Sequence, residues 1–448
     1  MRANKTGGTT AQLLRWLLLV VLLVIIAGAV LACRPVIEPI KPPARESFDP
    51  TLVQRGARLS AIGDCATCHT SNEMLPYSGG LALPTPFGTI FSTNISPDAK
   101  TGIGTWSEQA FRRAMREGIS RDGHYLYPAF PYDHYTHVTD DDVKALYALL
   151  MTRDPIEAPA RSNDLRFPFG FRPLVAAWNL LYLDKSPIRS DPAQSTEWNR
   201  GAYLVQSLGH CGACHSPRNA LGAEDKRQYL GGGQAEDWYV PALNARSPSP
   251  LPWTVEQLTA YLRTGLARDH AIAGGPMQGV VNSLSNADEK DVQAIAVYIK
   301  STLGTPSPEQ QGRANSAIAR AALGTLAAVR PTTPPTSKDD ENLMKLGASI
   351  YEGACARCHD AGRQDSSGGA LPLPLAIAVY DPDARNLVHI IREGIVPPPI
   401  QRGRWMPGFA DAFTDEQLIA LVSYLRRYAA DAPPWPDVAA SVQKAKSP

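Results

Sequence analysis

Six of the seven cysteines stand in one arrangement, Cys-x-x-Cys-His, written three times: Cys65, Cys68 and His69; Cys211, Cys214 and His215; Cys355, Cys358 and His359. Two thiols one helical turn apart can each add to a vinyl group of one porphyrin. The histidine beside the second thiol then sits under the iron as its proximal ligand. This is the pattern of c-type haem attachment, so the expected cofactors are three covalently bound haem c groups. Zinc would need the Cys-x-x-Cys halves to pair, and three is an odd number of halves. A thioredoxin-like redox pair has no need of a histidine directly after each second cysteine. The chain carries no Rossmann glycine fingerprint, P-loop or serine-hydrolase elbow, so no catalytic residues are assigned.

The opposite face of each iron decides its chemistry. A methionine raises the potential, a second histidine lowers it, and an empty position admits ligands. Trp405-Met406-Pro407-Gly408-Phe409 places Met406 just ahead of the last amphipathic helix of the third repeat, and Gly275-Pro276-Met277 places Met277 correspondingly in the second. The aligned stretch of the first repeat is Tyr127-Pro128-Ala129-Phe130-Pro131-Tyr132, and phenylalanine cannot coordinate iron. His134 is the expected sixth ligand there, with His124, His137, Met115 and an open position as alternatives. An open first haem is the one feature that would suit a multihaem enzyme such as a peroxidase. A free-standing electron shuttle is a further alternative, disfavoured by length and by an anchor.

The elements that must hold these ligands repeat with them. Each motif follows a short helical pattern containing Gly-Ala, at Gly56-Ala57, Gly201-Ala202 and Gly347-Ala348. Each repeat closes with an amphipathic helix opened by acidic residues, from Thr139-Asp140-Asp141-Asp142, Asn286-Ala287-Asp288-Glu289 and Thr414-Asp415-Glu416. Side-chain oxygens at such positions take up free N–H groups, and the acids face the positive end of the dipole. Val143, Leu146, Tyr147 and Leu150, like Leu418, Leu421, Val422 and Leu425, recur at helical spacing. First and last helices crossing beside a haem make a cytochrome c domain. The expected fold is therefore all-α: three tandem cytochrome c domains behind an N-terminal membrane anchor or lipoprotein signal. The boundaries read as a signal or anchor segment at 1–33, then domains at 49–153, 196–304 and 337–431. Residues 154–195 connect the first two. They hold Phe167-Pro168-Phe169-Gly170-Phe171 and an apolar run from Leu174 to Leu183, for which packing between domains is expected ahead of contact with a haem edge, a partner or a membrane surface. Residues 305–336, rich in Ala, Pro, Ser and Thr, read as a looser linker.

A length of 448 residues suits three domains, and 39 prolines suit long ordered loops. A net charge of +1 argues against nucleic acid as a partner. Thioether attachment takes place outside the bacterial cytoplasmic membrane, so the body must be exported. Arg2, Lys5 and Arg15 precede an apolar run from Trp16 to Ala32 that ends at Cys33. That run lies between the ~7–15 residues of a cleaved signal and the ~20 of a spanning helix. Val30-Leu31-Ala32-Cys33 is similar to a lipoprotein box, so anchoring by a retained helix or by lipid on Cys33 is expected, at the periplasmic face of the cytoplasmic membrane.

From about residue 49 to 430 the chain resembles the three-haem cytochrome c subunits of membrane-bound periplasmic dehydrogenases acting on alcohols, gluconate or aldehydes. The resemblance rests on Gly79-Gly80 to Phe87-Gly88-Thr89-Ile90, Ser92-Thr93-Asn94-Ile95-Ser96-Pro97-Asp98, Thr101-Gly102-Ile103-Gly104, Leu126-Tyr127-Pro128-Ala129 and Leu208-Gly209-His210-Cys211-Gly212-Ala213-Cys214-His215. Alcohol dehydrogenase members look like Tyr-Pro-Ala-Met-Pro-Tyr in the first domain. Phe130 with Asp133-His134 looks more like partners of molybdenum hydroxylases that oxidise aldehydes or N-heterocycles such as nicotinate. The resemblance implies an electron relay: a dehydrogenase catalytic subunit of molybdenum type, or next a quinoprotein (PQQ) or flavoprotein, delivers electrons. Ubiquinone or a terminal oxidase then receives them.

Overall fold

The computed structural model describes residues 12–19, 28, 34–361, 370–396 and 406–446. Cys33 and most of the 1–33 segment lie outside them. Among the described residues no helix is long and apolar enough to cross a membrane. The chain divides into two compact units, Met1–Gly56 with Cys68–Pro187 and Ala57–Thr67 with Ile188–Pro448.

In the first unit the helix Asp140–Met151 starts where expected. The Thr139 side chain accepts the Asp142 N–H, and Asp140, Asp141 and Asp142 occupy the first turn. Its Ala145 faces Gly56. A Cβ on that glycine would stand 2.8 Å from the Ala145 carbonyl carbon and 2.9 Å from Leu149 Cβ, closer than side chains ever come. Only glycine lets the two backbones meet there. The helix Glu108–Glu117 packs on the same helix. Three short antiparallel strands, Ala82–Thr85, Gly88–Phe91 and Asp164–Leu165, form a sheet within the helical frame. The apolar run after them forms the helix Leu174–Tyr182. Val175 and Ala176 are buried against Ile119 and Tyr125 of the same unit, while Leu180 and Leu181 face outward.

In the second unit the same crossing recurs twice. Thr196–Gln206 meets Glu289–Leu303 with Gly201 on Ala294, and Lys338–Ile350 meets Asp415–Ala429 with Gly347 on Ala420. A Cβ on Gly201 would lie 2.6 Å from the Ala294 carbonyl carbon and 2.9 Å from Tyr298 Cβ, and one on Gly347 2.9 Å from the Ala420 carbonyl carbon. The repeated Gly-Ala of the sequence therefore marks a helix crossing.

Two stretches are more ordered than their composition suggests. The expected loose linker carries the helix Pro308–Ala322, opened by a reciprocal cap between Ser307 and Gln310. Its Ala314 and Ala317 are buried, and Arg320 Nε donates 3.0 Å to the Ala429 carbonyl. Packing also continues past residue 431, through buried Trp435, Val438 and Val442 on the helix Val438–Lys444.

Candidate haem-attachment sites

Each Cys-x-x-Cys-His motif forms a short helical turn: Cys65–His69, Gly212–His215 preceded by Cys211, and Ala356–His359 preceded by the π-helical turn Tyr351–Cys355. In each, the first cysteine is half-buried and the second exposed. Burial pushes the first thiols up, Cys65 and Cys355 to about 11 and Cys211 to about 12. Thiols held protonated in this way are unlike the low-pKa cysteines of dithiol oxidoreductases. Among the described residues no group of three or more His, Cys, Asp or Glu side chains converges on a point.

The three motif histidines share one geometry. Nδ1–H donates to a backbone carbonyl in every case: His69 to Thr93 at 2.7 Å, His215 to Pro241 at 2.7 Å and His359 to Leu371 at 3.0 Å. That bond fixes the tautomer and leaves the Nε2 lone pair for a metal. Burial holds all three imidazoles below their ordinary pKa, so they are neutral at pH 7. In the first two motifs the histidine's own carbonyl accepts the N–H of a positive-φ glycine, Gly79 and Gly232, each at 2.8 Å. A haem c iron needs an oriented, neutral imidazole beside two thiols one turn apart, and these residues fit it.

The carbonyl acceptors were not singled out from sequence. Thr93 alone falls in a family string, Ser92-Thr93-Asn94-Ile95, and nothing in that string marks its carbonyl as an acceptor.

The candidate sixth ligands follow a common landmark. The helices Glu108–Glu117, Val255–Thr264 and Arg385–Glu393 each end on a left-handed or positive-φ glycine, Gly118, Gly265 and Gly394. Twelve residues beyond each comes Phe130, Met277 or Met406. The pairing that follows the glycine is not identical. Ile119 bridges Tyr125 and Leu266 pairs with Ile272, whereas Ile395 bridges Met406 itself. Met406 therefore takes part in the bridge itself, and Met277 stands at the start of the helix Pro276–Leu284. Both are part-buried. In the first unit Phe130 packs on Tyr135 with ring centroids 5.3 Å apart, and His134 lies buried one turn on, in the helix Tyr132–Tyr135. Of the alternatives, Met115 is a core residue and His124 Nδ1 is 2.5 Å from Asp122 Oδ1.

Within the second unit these parts touch. Asp64 accepts from the Ser283 hydroxyl, and Thr67 abuts Gly279, which sets the segment bearing Cys65 against the Met277 helix. Trp238 lies over Gly275, two residues before Met277, and stacks at 4.8 Å and 20° on His389, whose helix leads toward Met406. Asn386 from that helix brackets the Tyr239 backbone, accepting its N–H and donating to its carbonyl, both at 2.9 Å.

The cytochrome c family model matches residues 53–154, and the model for cytochrome c oxidase, cbb3-type, subunit III matches residues 342–425. The chain is 42% identical over 417 residues to a nicotinate dehydrogenase subunit of Pseudomonas putida, covering 92% of this chain but only 33% of that longer protein. It is 33% identical to the fructose dehydrogenase cytochrome subunit of Gluconobacter japonicus, over 87% of this chain and 81% of the relative. A diheme cytochrome c-type protein of Cereibacter sphaeroides is 39% identical over 62% of this chain and 95% of its own length.

Proposed function

The chain belongs to the family of cytochrome c subunits of dehydrogenases, and from that premise we propose that it is a three-haem electron relay anchored at the periplasmic face of the cytoplasmic membrane. Electron transfer through covalently bound haem c follows from the family. The count of three is the further step, and the observation that carries it is the threefold histidine geometry: each motif imidazole is part-buried and tied through Nδ1 to a carbonyl.

Haem c supplies a one-electron iron couple when bound; the chain's residues set where and how it works. Cys65 and Cys68, Cys211 and Cys214, and Cys355 and Cys358 would hold the three porphyrins, and His69, His215 and His359 would each ligate an iron. Met277 and Met406 would supply the further ligand to the second and third irons, and His134 to the first. No residue is assigned to bond-making chemistry, so substrate oxidation belongs to a separate catalytic subunit. A molybdenum hydroxylase partner is favoured by Phe130 standing where alcohol dehydrogenase members look like methionine, with Asp133-His134 following it, and by the likeness to a subunit of nicotinate dehydrogenase. A quinoprotein or flavoprotein partner comes next. Ubiquinone or a terminal oxidase receives the electrons, and the segment before Arg34 holds the chain to the membrane, by a retained helix or by lipid on Cys33.

A low-temperature EPR redox titration of the full holo-chain tests this. Three low-spin haems are expected, with Met277→Ala, Met406→Ala and His134→Ala each altering the spin state or potential of one. A high-spin haem in the unmodified chain that binds cyanide or peroxide would overturn the closed relay.

A further inference from the structure

The first unit carries an apolar surface that the relay does not use. Phe167 is 96% exposed, Leu180 72%, Leu181 66%, Phe171 61% and Leu174 45%, all within one loop and the helix Leu174–Tyr182. So many large apolar side chains in fifteen residues are far from the scattered exposure of ordinary surfaces. The mount beneath them is firm. Val175 and Ala176 are buried. The Asn179 Oδ1 accepts from the Tyr132 hydroxyl at 2.6 Å, and its Nδ2 donates to the Glu117 carbonyl at 3.2 Å. Trp178 sits edge-on to Tyr132. The helix is thus held with its apolar face outward.

Two observations say what covers that face. The first is where the chain enters the unit. Arg34, directly after the Trp16–Cys33 segment, donates from Nε to the Tyr125 hydroxyl at 2.8 Å, and Ile37 N–H donates to the Arg121 carbonyl at 2.8 Å. The same Tyr125 accepts at its carbonyl from Arg172 Nη1, 2.7 Å away and two residues before the apolar helix, and packs with Val175 and Ala176. Arg34, the residue that follows the proposed anchor, thus meets the same Tyr125 that seats the apolar helix. The second is the border of the face: Arg166 and Arg172 precede the apolar helix and Trp178 and Tyr182 lie on it, while Lys185 is paired with Glu117 at 2.9 Å. Aromatic and aliphatic side chains bordered by Trp178, Tyr182 and cations are the composition of an element lying in the headgroup zone of an anionic bilayer.

We propose that Phe167–Leu181 is an interfacial membrane contact, with Phe167, Phe171, Leu180 and Leu181 inserted among acidic phospholipids. It rests on the anchor proposed above, and together the two attachments orient the first unit over the membrane.

The test is photolysis of the full holo-chain in vesicles of phosphatidylethanolamine and phosphatidylglycerol bearing acyl-chain diazirines, with adducts mapped by peptide mass spectrometry. Adducts are expected in 166–183 as well as in the N-terminal peptide. In the chain carrying Leu180→Glu and Leu181→Glu, with unchanged Soret spectrum, those in 166–183 should fall about tenfold or more while N-terminal adducts persist. Adducts confined to the N-terminal peptide would overturn the interfacial contact and leave the anchor standing. Adducts in 166–183 alone would support the contact and overturn the anchor. Loss of the 166–183 adducts when the dehydrogenase catalytic subunit is added, with crosslinks to it instead, would make the face a protein-docking surface and overturn the proposal.

Discussion

Replacing Gly201 by alanine adds one methyl group where two helix backbones meet. The new Cβ would stand 2.6 Å from the Ala294 carbonyl carbon and 2.9 Å from Tyr298 Cβ, whereas ordinary contact begins at 3.4 Å. The carbonyl carbon must retreat by ~0.8 Å (3.4 less 2.6), and its oxygen, nearer still, by more. Overpacking of this kind costs about 1–3 kcal/mol, and backbone cannot rotate aside as a side chain can, so the upper end applies. Alanine's better helix propensity offsets up to ~1 kcal/mol. The net loss is ~2 kcal/mol, or ~30-fold in a local opening equilibrium. Hydrogen exchange of the full holo-chain reads it directly in peptides covering 196–206 and 289–303. Gly312, on the helix Pro308–Ala322 with nothing within 4 Å of its Cβ position, is the control. Gly312→Ala should slow exchange by up to ~5-fold, since only propensity and chain entropy change. Unaltered exchange in Gly201→Ala, or equal loss in Gly312→Ala, would refute the claim that the crossing requires glycine.

Further outcomes follow from the second unit. His270 is fully buried, stacked 3.8 Å from Trp253, with Nδ1 3.0 Å from Ser249 Oγ and Nε2 3.1 Å from Gln257 Oε1; burial pushes its pKa down to about 4. The unfolded chain takes up this proton first, near pH ~6.5, so the contribution is whole above that pH and is lost as pH falls toward 4, up to ~3 kcal/mol. His270→Phe should flatten the dependence of the denaturant midpoint between neutral and mildly acidic pH, and an unchanged slope would count against it. Asn386→Ala strips both partners from the Tyr239 backbone and should cost ~2–3 kcal/mol, read as faster exchange in 238–240; unchanged protection there would show that the bracket is dispensable. Asp381 is buried, with its pKa raised by desolvation and no hydrogen bond at Oδ1 among the described residues, so Asp381→Asn should leave thermal stability near pH 7 unchanged or higher; a loss beyond ~1 kcal/mol would mean that its charge is needed.

The chemistry-bearing residues were the most legible part of the sequence, because covalent attachment demands fixed spacing. Cys-x-x-Cys-His admits little variation, and the final helices announced themselves through starts such as Thr414 followed by Asp415 and Glu416. Gly201 and its counterparts were visible as a repeat, but their purpose was not, since a backbone contact leaves no pattern on the partner helix beyond a small residue such as Ala294. The helix Pro308–Ala322 was hidden by composition: Ala, Pro and Ser suggest a linker, although Ser307-Pro308-Glu309-Gln310 is a complete start signal. Thr93, Pro241 and Leu371 could not be found at all, because a carbonyl is common to every residue and only the fold selects which one meets the imidazole. His134 lies between these cases, a histidine whose burial was not predictable from a loop-like Pro-Tyr-Asp-His context.

Anaerobic coulometric titration of the full holo-chain, followed optically, tests the central claim most directly. Three one-electron equivalents per chain, all in six-coordinate low-spin haem, are the expected result. Two equivalents, or a third centre that binds carbon monoxide or cyanide without a change at Met277, Met406 or His134, would contradict the three-haem closed relay.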